Sequence, residues 1–227
     1  MIAALGLAFS EIAAPRLRRV LARGLAIAAA VLAALLVGAA LLLHGVLPGA
    51  GVMRAAIEVF GDVAMLTLAW VLFPVAVTTV LGFFVEGAIA AVEAERYPDL
   101  PTPRRQTMAG QLRSAMRLGL LGLVVNLLAL PLYLVLPGLN LLLFYGLNGW
   151  LLGREYFELV ALRRLDERQL RAFWRSFWPR LVAAGMVIAL LLTVPLLNLA
   201  APLIAALFML HLFERLRRGA NPAPLTS

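Results

Sequence analysis

The chain has 227 residues, 63% of them hydrophobic and 14% charged, against about half and about a quarter in soluble domains. That much apolar surface cannot be hidden inside one or two water-facing domains, so the chain reads as an all-α integral membrane protein. The absence of cysteine excludes disulfides and thiolate metal sites. A net charge of +8 in such a chain points to basic cytoplasmic loops instead of nucleic-acid binding.

Residues 1–14 are apolar apart from Ser10 and Glu11 and too short to span; they read as a helix lying along the interface. With Glu11 and no basic residue there, a cleavable signal peptide is not expected. Pro15 suits the first position of a second helix, APRLRRVLARG, which feeds an uninterrupted apolar run and predicts a transmembrane span over about 24–47. Pro48, Gly49 and Gly51 end it. A second span is predicted over about 60–92, apolar apart from Asp62, Thr78, Thr79 and Glu86. At roughly 48 Å of helix it must tilt, kink at Pro74 or project beyond the bilayer. Thr78 and Thr79 are expected to bond back to their own helix near that proline. The loop ERYPDLPTPRR, residues 95–105, closes the span with three prolines.

Two further apolar blocks, 118–153 and 181–213, are each interrupted near the middle, by LVLPGLN and VPLLNLAAP. Their arms are roughly 22–28 Å long, marginal against a hydrocarbon core of about 30 Å. Each block is therefore a pair of short spans or a re-entrant hairpin whose turn is buried in protein or wet. Arginines cluster at 16–23, 96–117, 154–180 and 215–218. A cytoplasmic N-terminus, two crossings and an even number of passes per later block put every cluster on the cytoplasmic side. NGWLLGREYFELVALRRL, residues 148–165, is where the third block re-emerges there. Arg154 and Glu158, at i and i+4, are placed to pair, with Glu155 beside them. Trp174 and Trp178, on the amphipathic helix that follows, suit the headgroup level. Asn126, Asn140, Asn148 and Asn198 read as helix–helix contacts or turn formers.

Three stretches carry a family resemblance. PRLRRVL at 15–21 is similar to a Pro-Gly-Leu-Arg-Arg segment. LGFFVEGAIAAVEAE at 81–95 is similar to an apolar stretch leading to a Phe and an acidic helix end. VPLLNLAAPLIAALFMLHLFER at 194–215 is similar to an Ile-Pro-hydrophobic-Asn-hydrophobic-Pro pattern, with Pro195, Asn198 and Pro202 in place. With the order of segments, these make nearly the whole chain resemble CysZ-type sulfate permeases and the wider etoposide-induced membrane-protein superfamily. Arg16 stands where that family has Gly, and GREYFELVALRRL occupies the place of its Tyr-Leu-Asp-Tyr-Pro signature. The resemblance implies two full transmembrane helices, two partly inserted helical hairpins, and homo-oligomers whose protomers can face opposite ways. It also implies residence in a bacterial inner membrane and an anion site at Arg18 and Arg19, with Arg16 and Leu17 in the same segment.

The residues offer a physical reason for such a site. The first-turn amides after Pro15 lack intrahelical partners, and they and the positive dipole end attract an anion. Arginines in that turn are unfavourable by a few tenths to about 1 kcal/mol each. An oxyanion relieves both problems, since an Arg fork bonds two oxygens together. Arg16, Arg19 and Arg23 share one helix face, and Arg18 lies off it. The competing reading is a positive-inside anchor ahead of the span. Sulfate has no proton to donate at neutral pH and suits a site made only of donors; phosphate would profit from an acceptor, and Glu11 is the nearby acid.

Intramembrane charges are candidates for a translocation path. They are Glu86, with Glu93 on a similar face, and Arg104, Arg105, Arg113 and Arg117 as partners at the cytoplasmic mouth. Glu86 either titrates, coupling transport to protons, or pairs with one of these arginines and locks the helices. The expected function is uptake of sulfate or a related oxyanion across the inner membrane for sulfur assimilation, by a channel or a proton-linked carrier. The other class is a membrane scaffold or interaction protein whose arginines hold partners or anionic lipid. No nucleophile–base pair, metal set or phosphate loop points to an enzyme, and no cofactor or metal is expected with only His44 and His211, far apart, to supply imidazole.

Overall fold

A computed structural model describes residues 1–46, 51–104, 108–135 and 137–220, and among these the secondary structure is all helix. In chain order α1 is Ile2–Ala13, α2 Pro15–Val46, α3 Val52–Arg96, α4 Met108–Val135, α5 Asn140–Ala161, α6 Glu167–Thr193, α7 the single turn Pro195–Asn198, and α8 Ala201–Ala220. Four stretches are long and apolar enough to cross a membrane: Pro15–Leu42, Ile57–Arg96, Met116–Tyr133 and Glu167–Thr193. Large apolar side chains along α2, α3 and α4 are exposed in the isolated chain. Soluble monomers do not tolerate such patches, whereas a lipid-facing surface requires them. The chain is a multi-pass membrane protein.

The bend between α1 and α2 follows from Pro15. A proline disfavours helical geometry for the residue before it, and Ala14 is extended, with φ −63° and ψ 141°. Leu17, Gly24, Ala28 and Leu32 then form one buried stripe on α2, facing α3. Val77, Leu81, Val85, Ala88 and Val92 are the buried stripe of α3, at the 3- and 4-residue steps of a single helix face. Gly24 is so close that a β-carbon there would collide with the Leu81 side chain. α3 runs 45 residues, straight through Pro74. At roughly 68 Å it outlasts any hydrocarbon core.

The later blocks break where the sequence interrupts them. A 3-10 turn, Pro137–Leu139, separates α4 from α5, and α7 lies in the break between α6 and α8. The start of α6 is set by a capping box. The Asp166 side chain accepts the Gln169 N–H at 2.8 Å, and the Gln169 side-chain oxygen accepts the Asp166 N–H at 2.9 Å. α5 and α6 touch backbone to backbone at Gly149, Gly153 and Gly185.

Two packing facts position the rest. α1, expected along the interface, lays Ala4, Ala8 and Glu11 (i, i+4, i+7) against α8. α8, expected as one arm of an inserted hairpin, is the centre of the molecule: every residue from Leu203 to Glu214 is buried, surrounded by α1, α3, α5 and α6. A helix that is apolar all round must be enclosed, and here the enclosing medium is protein.

Candidate functional site

The segment Arg16–Leu17–Arg18–Arg19 divides as soon as α2 forms. The Arg18 N–H donates to the Ala14 carbonyl at 3.0 Å, and the amides of Arg16 and Leu17 stand ahead of it, where a helix has no acceptor of its own. Leu17 is core, 1% exposed, so only its backbone is available to a ligand. Arg16 turns to α3. Its Nη1 lies 2.8 Å from Glu95 Oε2 and donates to the Ala91 carbonyl at 3.3 Å. Arg18 and Arg19 are exposed. Arg19 donates to the Pro15 carbonyl at 3.3 Å, and among the described residues neither guanidinium meets a carboxylate. Glu11, the nearby acid, is buried and held by Arg96 at 2.8 Å. The structure therefore leaves two arginines near the start of α2 with no carboxylate partner among the described residues, and Glu11 engaged by Arg96.

A separate cleft of about 760 Å³ opens between α3, α5 and the chain around α7. Glu86 and Phe83 on α3 face it with Pro74 and Thr79; Glu155 and Tyr156 come from α5, and Asn198 and Pro202 from α7 and α8. Thr79 bonds back to the Val75 carbonyl at 2.8 Å, next to Pro74, as its place in the sequence suggests; the Thr78 side chain lies outside the described residues. Among the described residues, Glu86 and Glu155 reach neither a guanidinium nor a hydrogen-bond donor, and no basic side chain lines the cleft. Arg104 is exposed in the loop after α3, its N–H on the Arg163 carbonyl at 3.0 Å. Arg105 and the side chain of Arg113 lie outside the described residues. Glu86 and Arg104 are not brought together, and of Glu86 and Glu93 it is Glu93 that binds arginines, 2.7 Å from Arg163 and 3.0 Å from Arg164.

The strongest polar constellation is one the sequence shows only in half. Arg154 and Glu158 pair at 2.5 Å, as their spacing suggests. Glu158 is 2% exposed and also receives Arg117 from α4 on both oxygens, at 2.8 and 2.9 Å. The Arg154 guanidinium lies 5.0 Å from the Trp174 ring centre, so Trp174 is drawn into the core beside Phe157 while Trp178 stays exposed. A second such link joins the Tyr97 hydroxyl to His211 Nδ1 at 2.8 Å. These partners are far apart in sequence and carry no local signal. Among the described residues no cluster of acidic and histidine side chains has the form of a metal site.

No curated protein and no solved structure matches the chain. A family model does, over residues 4–202, from α1 to the start of α8. The chain, with its membrane-crossing helices and its basic first turn of α2, belongs to the family described as Sulfate transporter CysZ/Etoposide-induced protein 2.4.

Proposed function

We propose that this protein is a permease passing sulfate, or a related tetrahedral oxyanion, across a bacterial inner membrane for sulfur assimilation. One observation carries the reading: in a chain of this family, Arg18 and Arg19 stand at the start of α2 with no carboxylate partner among the described residues. A dianion there would neutralise two cations that the helix dipole disfavours and would accept the open amides of Arg16 and Leu17. The burial of Glu11 and its ion pair with Arg96 support sulfate over phosphate, since the nearby acid is already engaged by a cation of its own. Arg104, exposed in the loop after α3, adds positive field at the cytoplasmic mouth, and the reading keeps Arg105 and Arg113 in the path from their place in the sequence alone. In this reading the two later blocks are partly inserted hairpins, and the working unit is a homo-oligomer.

The test is uptake of labelled sulfate into vesicles containing only this protein. The expected result is flux above protein-free vesicles, cut by roughly tenfold in Arg18→Ala/Arg19→Ala through the lost charge-assisted bonds. Flux no higher than in empty vesicles removes the permease. Equal flux through both proteins removes the site. A second reading, a membrane scaffold of the same family, is favoured by one fact: Arg18 and Arg19 lie outside the cleft, where anionic headgroups can reach them. Absence of flux together with retention of anionic vesicles by these arginines is its signature.

A further inference from the structure

The cleft is chemically unlike the arginine segment. It holds two carboxylates from different helices, Glu86 on α3 and Glu155 on α5, and among the described residues no basic side chain. Its volume of about 760 Å³ lies in the range of small-molecule sites. Glu86 precedes Arg96, the last residue of α3, by ten positions, so it stands roughly 15 Å along the helix from the cytoplasmic end. At that depth a carboxylate without a partner is costly and marks a functional position. The remaining walls are mainly apolar or aromatic, with Pro74, Val85, Leu159 and Pro202 and the Phe83 and Tyr156 rings, and Thr79 and Asn198 add two neutral polar side chains. The Phe83 ring is 81% exposed in the isolated chain, so nothing in the fold uses its faces.

We infer that this cleft binds a lipophilic organic cation, a quaternary ammonium or phosphonium carrying an apolar body. Each part of the wall matches one part of such a molecule. The two carboxylates supply the countercharge, and among the described residues no guanidinium neutralises them. The apolar side chains take up the hydrocarbon body, which a small hydrated metal ion would leave facing unsatisfied walls. The open face of Phe83 attracts a diffuse cation through the ring quadrupole, and the half-buried Tyr156 lines the cleft beside Glu155. A quaternary cation needs no hydrogen-bond acceptor of fixed geometry, which suits carboxylates held by no neighbour. The two carboxylates repel an oxyanion, so this site and the arginine segment serve ligands of opposite sign, and neither reading depends on the other.

The probe is labelled tetraphenylphosphonium, equilibrated by dialysis against the purified full chain in a maltoside detergent. Such a detergent has no ammonium headgroup to compete, so a signal comes from the free solute. Saturable binding is expected with one site per chain, weakened roughly tenfold or more in Glu86→Gln/Glu155→Gln. The uncharged triphenylphosphine oxide is expected to bind far more weakly than the cation. Equal binding of the two probes makes the cleft a greasy slot and overturns the inference, as does unchanged binding in the double variant. Should that variant fail to fold, Phe83→Ala decides: its exposed ring has no packing role, and its loss is expected to weaken the cation roughly two- to fivefold. Unchanged binding in Phe83→Ala, with elution and melting at the parent values, overturns it equally.

Discussion

The crossing of α5 and α6 is the tightest contact in the molecule and the easiest to break with one atom. A β-carbon built on Gly185 falls upon the carbonyl oxygen of Gly149 and the amide nitrogen of Gly153, both backbone atoms of α5. Neither can swing aside as a side chain does, so Gly185→Ala must push the helices apart. Overpacking of this kind costs about 3 kcal/mol or more, of which the better helix propensity of alanine returns about 1 kcal/mol. A net loss of about 2 kcal/mol lowers the melting temperature of a chain this size by about 4–8 °C. The neighbouring glycines give a ranking that tests the geometry itself. At Gly153 the nearest atom is the Leu181 carbonyl oxygen at 2.5 Å, again backbone, so alanine there is expected to be almost as harmful. At Gly149 the closest atom belongs to the flexible Met186 side chain, with backbone no nearer than 3.1 Å, so the loss is smaller. At Gly146 a methyl group meets nothing within 4 Å and is expected to be neutral or slightly stabilising. The assay is thermal unfolding in detergent, read by size-exclusion of the surviving monodisperse fraction. A Gly185→Ala protein that melts with the parent, or a Gly146→Ala protein that melts lowest, refutes the close crossing.

Glu158→Gln should lower stability by about 3 kcal/mol, because two guanidinium groups converge on a carboxylate that is 2% exposed; thermal unfolding reads the loss. Glu167→Gln removes an exposed pair with Arg171 at 3.4 Å and should shift the same melt by less than about 0.5 kcal/mol. His211 lies in α8, outside the four crossing stretches, among Tyr97, Glu11, Arg96 and Glu214. Burial lowers its pKa to about 4 from the ordinary 6.5, with Glu11 opposing and Arg96 assisting. The folded state therefore favours neutral His211: its contribution is complete above pH 6.5 and is lost as pH falls toward 4, to a limit of about 3 kcal/mol. Melting temperatures between those pH values should decline more steeply in the parent than in His211→Gln, and parallel slopes would refute this.

What was legible in the sequence is what depends on near neighbours. Pro15 bends the chain at Ala14 because the clash acts on the adjacent residue. LVLPGLN and VPLLNLAAP break helices for similarly local reasons, and Arg154 finds Glu158 one turn away. The position of α8 was not legible. An apolar helix can face lipid or protein with the same composition, and only the packing of α1, α3, α5 and α6 around it decides for protein. Nor was the second cation on Glu158, since Arg117 arrives from 41 residues away. The arginine segment shows both kinds of information together. Its charge and its proline are readable, yet the fold alone turns Arg16 to Glu95, buries Leu17 and leaves Arg18 and Arg19 open.

That division of charge constrains where an oxyanion can travel. Two unit charges 4 Å apart interact by about 4 kcal/mol at the effective dielectric of a partly wet protein, so a dianion beside one ionised carboxylate meets about 8 kcal/mol of repulsion. A barrier that high slows passage by roughly six orders of magnitude. Among the described residues Glu86 and Glu155 line the cleft with no guanidinium to offset them, so under the proposed function a sulfate leaving Arg18 and Arg19 would be turned away from it. The proposed route then follows the basic face of α2 and the cytoplasmic arginines, or a seam between copies, and not the cleft. The consequence is measurable in the same vesicles used for sulfate uptake. Glu86→Gln/Glu155→Gln should leave sulfate flux within about twofold of the parent, because the charges removed face no transported anion. A rise of several orders of magnitude would place the anion in the cleft after all, since only there does neutralising these two side chains remove its barrier.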